Sequence, residues 1–244
     1  LNANGPYESL NVGAEGAAVV GSDDSTDKVF QNSTWSGAYT DGVVGTFSED
    51  SAWAPYGTLP MQITAIPAVA DTVYVDASWA SLAAGVDPDG SGPALGMGFD
   101  AFATIQAGID AVADGGTVNV NAGTYVESIH IVGKDITLQG QTGAVIQSPV
   151  TIPAASTFTT SAANKAVVYL NNTDSTVDGF VIDGASRGNG NYRFIGVAFY
   201  NAGGALTNSI VKNVQENPFN GNQHGNAVYA YNTDGVAREV TVAN

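Results

Sequence analysis

The stretch FATIQAGIDAVADGGTVNVNAGTYVESIHIVGKDITLQG, residues 102–140, decides the fold of this chain. Its first part predicts an amphipathic helix over residues 100–113, because apolar residues recur there at three- and four-residue steps on one face. These residues are Phe102, Ile105, Ile109 and Val112. Asp100 is the candidate N-cap, and Gly115 and Gly116 end the helix. After the glycines, short alternating segments predict strands that are joined by turns.

Further along the chain, three stretches repeat one another: AVVYLNNTDSTVDGFVIDG (166–184), IGVAFYNAGGALTNSIVKNV (195–214) and NAVYAYNTDGVAREVTVAN (226–244). Each opens with an alternating strand that ends at an asparagine of a structural turn. A period of about 30 residues in short strands is typical of a solenoid. Asparagine suits such turns because it tolerates the left-handed conformation and its amide can bond to the coil above. The turn asparagines are Asn171, Asn201 and Asn232.

The sequence therefore predicts an all-β fold, a right-handed parallel β-helix (solenoid) over residues 71–244, with the helix as its N-terminal cap. Residues 1–70 are rich in Gly, Ala and Ser and predict an irregular, β-rich N-terminal extension that serves assembly or docking. The last coil would expose unpaired strand edges. We therefore expect self-association, or coverage by further chain, at this open end.

The decisive stretch resembles the N-terminal cap and opening coils of pectin-lyase-like right-handed parallel β-helix proteins of the bacterial extracellular or surface type. Its motifs are F-x-T-I-Q, G-x-x-V-x-V-x-x-G-x-Y-x-E and I-T-L-x-G. With YVDASW and DPDGSG before them, the resemblance covers roughly residues 72–244 and does not extend to 1–71. The superfamily includes pectate lyases, polygalacturonases, alginate epimerases, phage tailspikes and adhesins, so the resemblance implies a fold and leaves the activity open.

The stretch YNTDG, residues 231–235, raises the question of catalysis. In the polygalacturonase-like branch an NTD triplet carries a catalytic aspartate, followed by an Asp pair, a Gly-His-Gly and an Arg-x-Lys. None of these follows in residues 236–244, and the triplet recurs within NNTD at 171–174 on the repeat register. The sequence therefore predicts that Asp234 closes a turn, and it assigns no catalytic residue.

Two insertions, GASRGNGNYRF (184–194) and QENPFNGNQHGN (215–226), fall at the same place in successive coils and would lie side by side. Loops on one face of a solenoid commonly bind partners, although exposed connections have the same composition. Aromatic rings suit sugar faces, amides suit hydroxyls, and cations suit carboxylates. The candidate glycan-binding residues are Arg187, Asn189, Asn191, Tyr192, Arg193, Phe219, Asn222, Gln223 and His224.

Calcium is the only cofactor that the sequence indicates, at the acidic loops SDDSTD (22–27) and DPDGSG (87–92). The second begins like an EF-hand loop, but Gly98 stands where that loop needs a bidentate glutamate. A solvated acidic loop is the alternative interpretation of both. The candidate metal ligands are Asp23, Asp24, Asp27, Asp87 and Asp89.

Charge and composition narrow the class of partner. The net charge is −16, from 7 Lys and Arg against 23 Asp and Glu, so nucleic acid and anionic membrane are unfavourable partners. There is no cysteine and no apolar run long enough for membrane insertion. Together with the abundance of glycine, this composition is typical of bacterial extracellular or cell-surface proteins.

Two functions from different classes fit these observations. The first is a non-catalytic extracellular or cell-surface β-helix protein with a structural, assembly (filament or surface-layer) or adhesive role, in contact with glycans. The second is the N-terminal part of a polysaccharide lyase, epimerase or hydrolase that acts on acidic polysaccharide, and a trimeric phage tailspike or receptor-binding stem is a variant of both. The scarcity of Lys and Arg favours the first, because a polyuronate channel needs cations.

Overall fold

The structure is a computed structural model of the 244-residue chain and describes residues 69–221 and 225–244 in full. The chain divides into two compact units, Leu1–Ala68 and Val69–Asn244. In the first unit the structure describes the backbone of five strands: β1 (Ser9–Asn11), β2 (Ala18–Val20), β3 (Thr34–Ser36), β4 (Val44–Ser48) and β5 (Pro60–Gln62). These pair antiparallel, β1 with β2, and β4 with both β3 and β5.

The second unit consists of three sheets. Sheet I has the order β7-β6-β8-β11-β15-β18-β21, sheet II β9-β12-β16-β19, and sheet III β10-β14-β17-β20. All of these pairs are parallel; β13 joins β14 antiparallel at the side of sheet III. The strands are β6 (Thr72–Val75), β7 (Ala101–Phe102), β8 (Thr117–Val120), β9 (Gly123–Val126), β10 (Ile129–Val132), β11 (Thr137–Gly140), β12 (Ala144–Gln147), β13 (Thr157–Thr159), β14 (Ala163–Asn171), β15 (Asp174–Asp178), β16 (Val181–Asp183), β17 (Phe194–Tyr200), β18 (Gly203–Thr207), β19 (Ile210–Lys212), β20 (Asn226–Tyr231) and β21 (Val240–Ala243).

From β8 onwards the chain visits sheets I, II and III in rotation, and we call each passage a coil. The register keeps equivalent positions in contact, so that Ile131 pairs with Leu170 and Leu170 pairs with Phe199. All three side chains are buried in one core cluster, because inward residues of stacked parallel strands form columns. The unit is therefore β-rich, built from parallel sheets with one short α-helix among the described residues.

That helix, α1 (Ile105–Ala111), is shorter than the predicted range 100–113. Residues 101–102 belong to β7 and pair with β6, so the helix begins only after them. Its N-cap is Thr104, whose hydroxyl accepts a hydrogen bond from Ala107 N–H at 3.3 Å. The predicted N-cap, Asp100, is instead buried, and its carboxylate accepts the N–H groups of residues 95 and 96.

Three polar side chains of the decisive stretch hold α1 in place. The Gln106 amide pairs with the backbone of His130 in β10, accepting from N–H at 2.8 Å and donating to C=O at 3.1 Å. The carboxylate of Glu127 accepts the N–H groups of Ile105 and Gln106, two of the groups that a helix N-terminus leaves without a partner. At the other end, Lys134 Nζ donates to helix carbonyls. Thus the Q and E of the sequence motifs fasten α1 to the first coil.

Two turns from sheet III to sheet I use asparagine in the left-handed conformation, whereas Asn232, in the turn after β20, does not have a positive φ. Asn201 has φ 49° and occupies this turn. Asn171 pairs with Tyr200 in the register, so Asn172, also with φ 49°, holds the position equivalent to Asn201. The amide of Asn201 bonds to Thr233 N–H at 2.7 Å and to its hydroxyl, not to Asn232. The asparagine side chain therefore links coils through the threonine of the next turn.

Candidate functional site

The two predicted insertions are in contact with each other. The loop between β16 and β17 carries Asn189, whose Oδ1 accepts Asn217 N–H at 2.7 Å and whose Nδ2 donates to Pro218 O at 3.1 Å. The second loop thus rests on the first through this bidentate amide, and also through Gln215, whose C=O accepts Gly188 N–H at 2.9 Å and whose Nε2 donates to Ser186 Oγ at 3.2 Å. Its Phe219 projects from this base with 82% of its surface exposed. Asn222, Gln223 and His224 lie outside the described residues.

Most of the predicted polar ligands in the first loop already have partners in the protein. Asn191 is fully buried, and its amide accepts Ile152 N–H and donates to the backbone carbonyls of residues 150 and 187, so this side chain lies inside rather than on the surface. Arg187 donates to Ser148 O, and Arg193 donates to the hydroxyls of residues 160 and 161. Tyr192, by contrast, is 52% exposed. The described part of the two loops therefore offers two exposed aromatic rings, while Arg187, Asn191 and Arg193 are engaged within the protein.

The YNTDG turn holds Asp234 in an ion pair. Its two carboxylate oxygens accept from Arg238 Nη1 at 2.8 Å and Nη2 at 2.7 Å, and Val236 N–H donates to Oδ1 at 2.9 Å. Hydrogen bonds from Arg238 and from Val236 N–H lower the pKa of Asp234 to about 2. A carboxyl group that stays ionised at neutral pH has no proton to donate as a general acid. Asp234 therefore closes this turn.

A shallow groove of about 350 Å³ lies beside this turn, and Asp135, Asp174, Arg238 and Glu239 are among its lining residues. The aspartates connect coils: Asp135 Oδ1 accepts Asp174 N–H at 2.6 Å, and Asp114 Oδ1 accepts Asp135 N–H at 2.7 Å. Each carboxylate thus accepts a hydrogen bond from a backbone N–H group of the following coil. Arg238, which lines the groove, is the residue that pairs with Asp234.

The predicted calcium ligands fall into two groups. Asp23, Asp24 and Asp27 lie outside the described residues. Asp87 accepts the N–H groups of residues 89 and 90, and Asp89 accepts Ala94 N–H at 3.1 Å, so both carboxylates close local turns. Within residues 69–221 and 225–244, no three His, Asp or Glu side chains converge as metal ligands.

The outer face of sheet III, opposite the core, carries a row of aromatic rings. Tyr169 pairs with Ala198 and Ala198 with Tyr229, while Tyr200 pairs with Tyr231. Phe158 of β13 packs on this face, with its ring centroid 5.6 Å from that of Tyr169 and 6.0 Å from that of Tyr229. Since Ala198 lies between these two tyrosines in the register, the Phe158 ring completes the row where the sheet supplies only a methyl group.

The far end of this row is open to solvent. The Tyr231 ring stacks on Tyr200 at 6.4 Å and on Tyr229 at 6.0 Å, with interplanar angles of 6° and 13°. Tyr231 is 40% exposed, and Tyr200 and Tyr229 are half-buried. We call these three residues the tyrosine face.

The buried end of the row fixes the position of the exposed end. Phe158 and Tyr169 are 4% and 5% exposed, and the Phe158 ring also contacts Tyr200 at 4.9 Å. Burial, with the neighbouring Tyr200 as a smaller cause, raises the pKa of Tyr169 to about 12, so its hydroxyl stays neutral at physiological pH. The buried rings of Phe158 and Tyr169 thus hold the tyrosine face in place.

Sequence reasoning missed this surface, although the strands that carry it were recognised. The signal is the alternation in VVYLN, VAFYN and VYAYN, which places aromatic residues at outward positions of successive coils. The two insertions are conspicuous in the sequence because they interrupt the repeat, whereas the tyrosines occupy regular positions of the repeated strands.

Comparison of the chain with protein-family models, with curated proteins and with solved structures gives no match. No helix among the described residues is long and apolar enough to cross a membrane. Function is therefore inferred from the geometry alone.

Proposed function

We propose that residues 69–244 form a right-handed parallel β-helix of the pectin-lyase-like class. The rotation of the chain through three parallel sheets and the cap position of α1 support this fold. Parallel crossovers within a sheet are right-handed in nearly all proteins, which supports the handedness. The motifs that carry the resemblance also have matching structural roles, since Gln106 and Glu127 fasten the helix to the first coil.

In this proposal the protein works outside the bacterial cell as a non-catalytic structural or adhesive protein that binds carbohydrate. The tyrosine face is the observation that carries the proposal. Aromatic rings offer large contact area at low conformational cost, and rings already stacked on neighbours need little further ordering when a ligand binds. The apolar C–H face of a sugar ring is the complement of such a surface.

The described carboxylates support the non-catalytic alternative over the enzyme. Glycoside hydrolysis needs one carboxyl group as proton donor and a second as base or nucleophile. Asp234 is ionised against Arg238, and Asp135 holds the backbone of the next coil. Asp174, which lines the groove beside the YNTDG turn, is the second carboxylate that the test for cleavage includes.

An assembly role has a physical basis in the last coil. Strands β19, β20 and β21 are the outermost strands of their sheets. Backbone groups on their outer edges can pair with strands of a partner or of further chain, and in this proposal a partner takes them.

The test is affinity electrophoresis and calorimetry of the full chain against a polysaccharide panel, with calcium and with chelator. We expect binding without cleavage. Tyr231→Ala should weaken binding about tenfold, a loss of roughly 1.4 kcal/mol, while Tyr231→Phe keeps the stacking and most of the affinity. Asp234→Asn and Asp174→Asn should leave binding unchanged. Release of new chain ends that either aspartate variant abolishes would establish the enzyme instead, and failure to bind any polysaccharide would refute the proposal.

A further inference from the structure

We infer that the tyrosine face takes an uncharged polysaccharide and discriminates against acidic ones. This inference rests on the proposed carbohydrate-binding function and names the class of ligand for the same site. It departs from the acidic polysaccharide that the enzyme alternative would require.

The face itself carries no charge that could pair with a uronate. Two rows of register partners run across the outward side of sheet III. None of their members is Asp, Glu, Lys or Arg. The first row is His130, Tyr169, Ala198 and Tyr229, and the second is Val132, Asn171, Tyr200 and Tyr231.

The cations elsewhere in the described residues are already engaged by oxygen atoms of the protein. Arg238 is paired with Asp234 in both of its terminal nitrogens, and Lys212 lies 3.6 Å from Asp183. The other side chains donate to backbone carbonyls or to hydroxyls. These cations are Lys134, Lys165, Arg187 and Arg193. A carboxylate on the ligand would have to displace one of these contacts.

The charge of the whole chain acts in the same direction. A net charge of −16 produces a negative potential that lowers the local concentration of polyanions and opposes their association. An acidic polymer meets this potential as it approaches, whereas an uncharged sugar meets only the desolvation of its hydroxyls.

The face offers what an uncharged sugar needs. Within the described residues the hydroxyls of Tyr200, Tyr229 and Tyr231 make no hydrogen bond to the protein, so all three can donate to or accept from sugar hydroxyls. Tyr231, the most exposed of the three rings, supplies the stacking surface. Stacking fixes the sugar plane and the hydroxyls fix its orientation, without a charged group.

The experiment compares one polymer in two charge states. Polygalacturonate and its fully methyl-esterified form share a backbone and differ in charge, and neutral glucan, galactan, mannan and xylan complete the panel. Affinity electrophoresis and calorimetry would be run on the full chain at low and at high salt. We expect the acidic form to bind at least about tenfold more weakly than the best uncharged polymer at low salt, with the difference shrinking at high salt.

The outcomes separate the inference from the proposed function. Binding of the acidic form that equals or exceeds that of every uncharged polymer would overturn the inference while carbohydrate binding stands. No binding to any polymer would overturn both. If Tyr231→Ala leaves glycan binding intact but changes the mass by light scattering, the face contacts a second copy of the chain and the inference fails. Tyr231→Phe, which keeps the ring, is the matched control, and circular dichroism verifies the fold of each variant.

Discussion

Replacing Gln106 with alanine tests how helix α1 is held against the coils. In the structure the Gln106 amide makes the two hydrogen bonds that a neighbouring strand would make to His130 at the edge of sheet III. It accepts from the His130 N–H and donates to the His130 C=O. Alanine removes both hydrogen bonds, and also the exposed one that Nε2 donates to Asp110 Oδ1 at 2.8 Å, without disturbing the apolar side of α1. The helix itself would gain only a few tenths of a kcal/mol in propensity.

The expected loss of stability follows from these two bonds. An ordinary hydrogen bond contributes about 0.5–1.5 kcal/mol, and a backbone group left without a partner in a half-buried site adds to the loss. His130 is half-buried, so water reaches part of the site and moderates that addition. We therefore expect Gln106→Ala to lower the free energy of unfolding by about 2 kcal/mol.

Urea unfolding with an unchanged slope would measure this loss, and amide hydrogen exchange at His130 would locate it. Gln139→Ala is the control, because Gln139 is exposed and makes no side-chain hydrogen bond in the described residues. The control should change stability by less than about 0.5 kcal/mol. If Gln106→Ala behaves like the control, and the His130 amide exchanges at the wild-type rate, the amide does not fasten the helix.

Three further perturbations test the stacking of the coils. Gly204→Ala should cost more than about 3 kcal/mol, since its Cβ would lie 2.0 Å from Ser175 O, whereas Gly133→Ala, at φ 69° with open space around it, should cost only about 1–2 kcal/mol in urea unfolding. Burial raises the pKa of Asp183, but hydrogen bonds from Asn213 and Ala185 N–H and the charge of Lys212 outweigh it and lower that pKa below 3.8. Its stabilisation is therefore present above about pH 4 and lost below it, so the stability difference between wild type and Asp183→Asn should shrink as the solution is acidified; a difference independent of pH would contradict this. Phe158→Ala should destabilise the chain by about 3 kcal/mol and should also weaken glycan binding, although Phe158 does not contact the ligand. Phe158→Leu keeps most of the buried volume and should lose much less of both.

The repeating part of the fold could be predicted because its signal is physical and local. Strand alternation, turn asparagines and the apolar stripe of the helix each follow from the period of one element. The residues of F-x-T-I-Q and of G-x-Y-x-E that fasten α1 lie near it in sequence, so one stretch of chain contains both sides of the contact. The parallel pairing of the coils agrees with what this pattern predicts.

The residues at which the helix begins and the strands turn depend on contacts between strands, which the sequence pattern does not show. Phe102 continues the apolar stripe of the helix but belongs to β7, because pairing with β6 competes with helix formation there. Asn171 and Asn172 are both asparagine, and only the pairing of Asn171 with Tyr200 decides which of them takes the left-handed turn. In each case the local sequence is compatible with two conformations, and pairing with a neighbouring strand determines which one forms.

The tyrosine face could not be predicted from the period of one element, since it combines strands of three coils with Phe158 from β13. Alternation alone places Tyr169, Tyr200 and Tyr229 outward, but an outward ring is ordinarily a solvated one. The row becomes a surface because Ala198 leaves room between two tyrosines and Phe158, from a strand that runs antiparallel to the others, packs there. The same packing buries one end of the row and leaves the other end exposed. Since the buried rings order the exposed ones, we expect the segment between β12 and β14, which carries Phe158, to support the proposed binding surface from beneath.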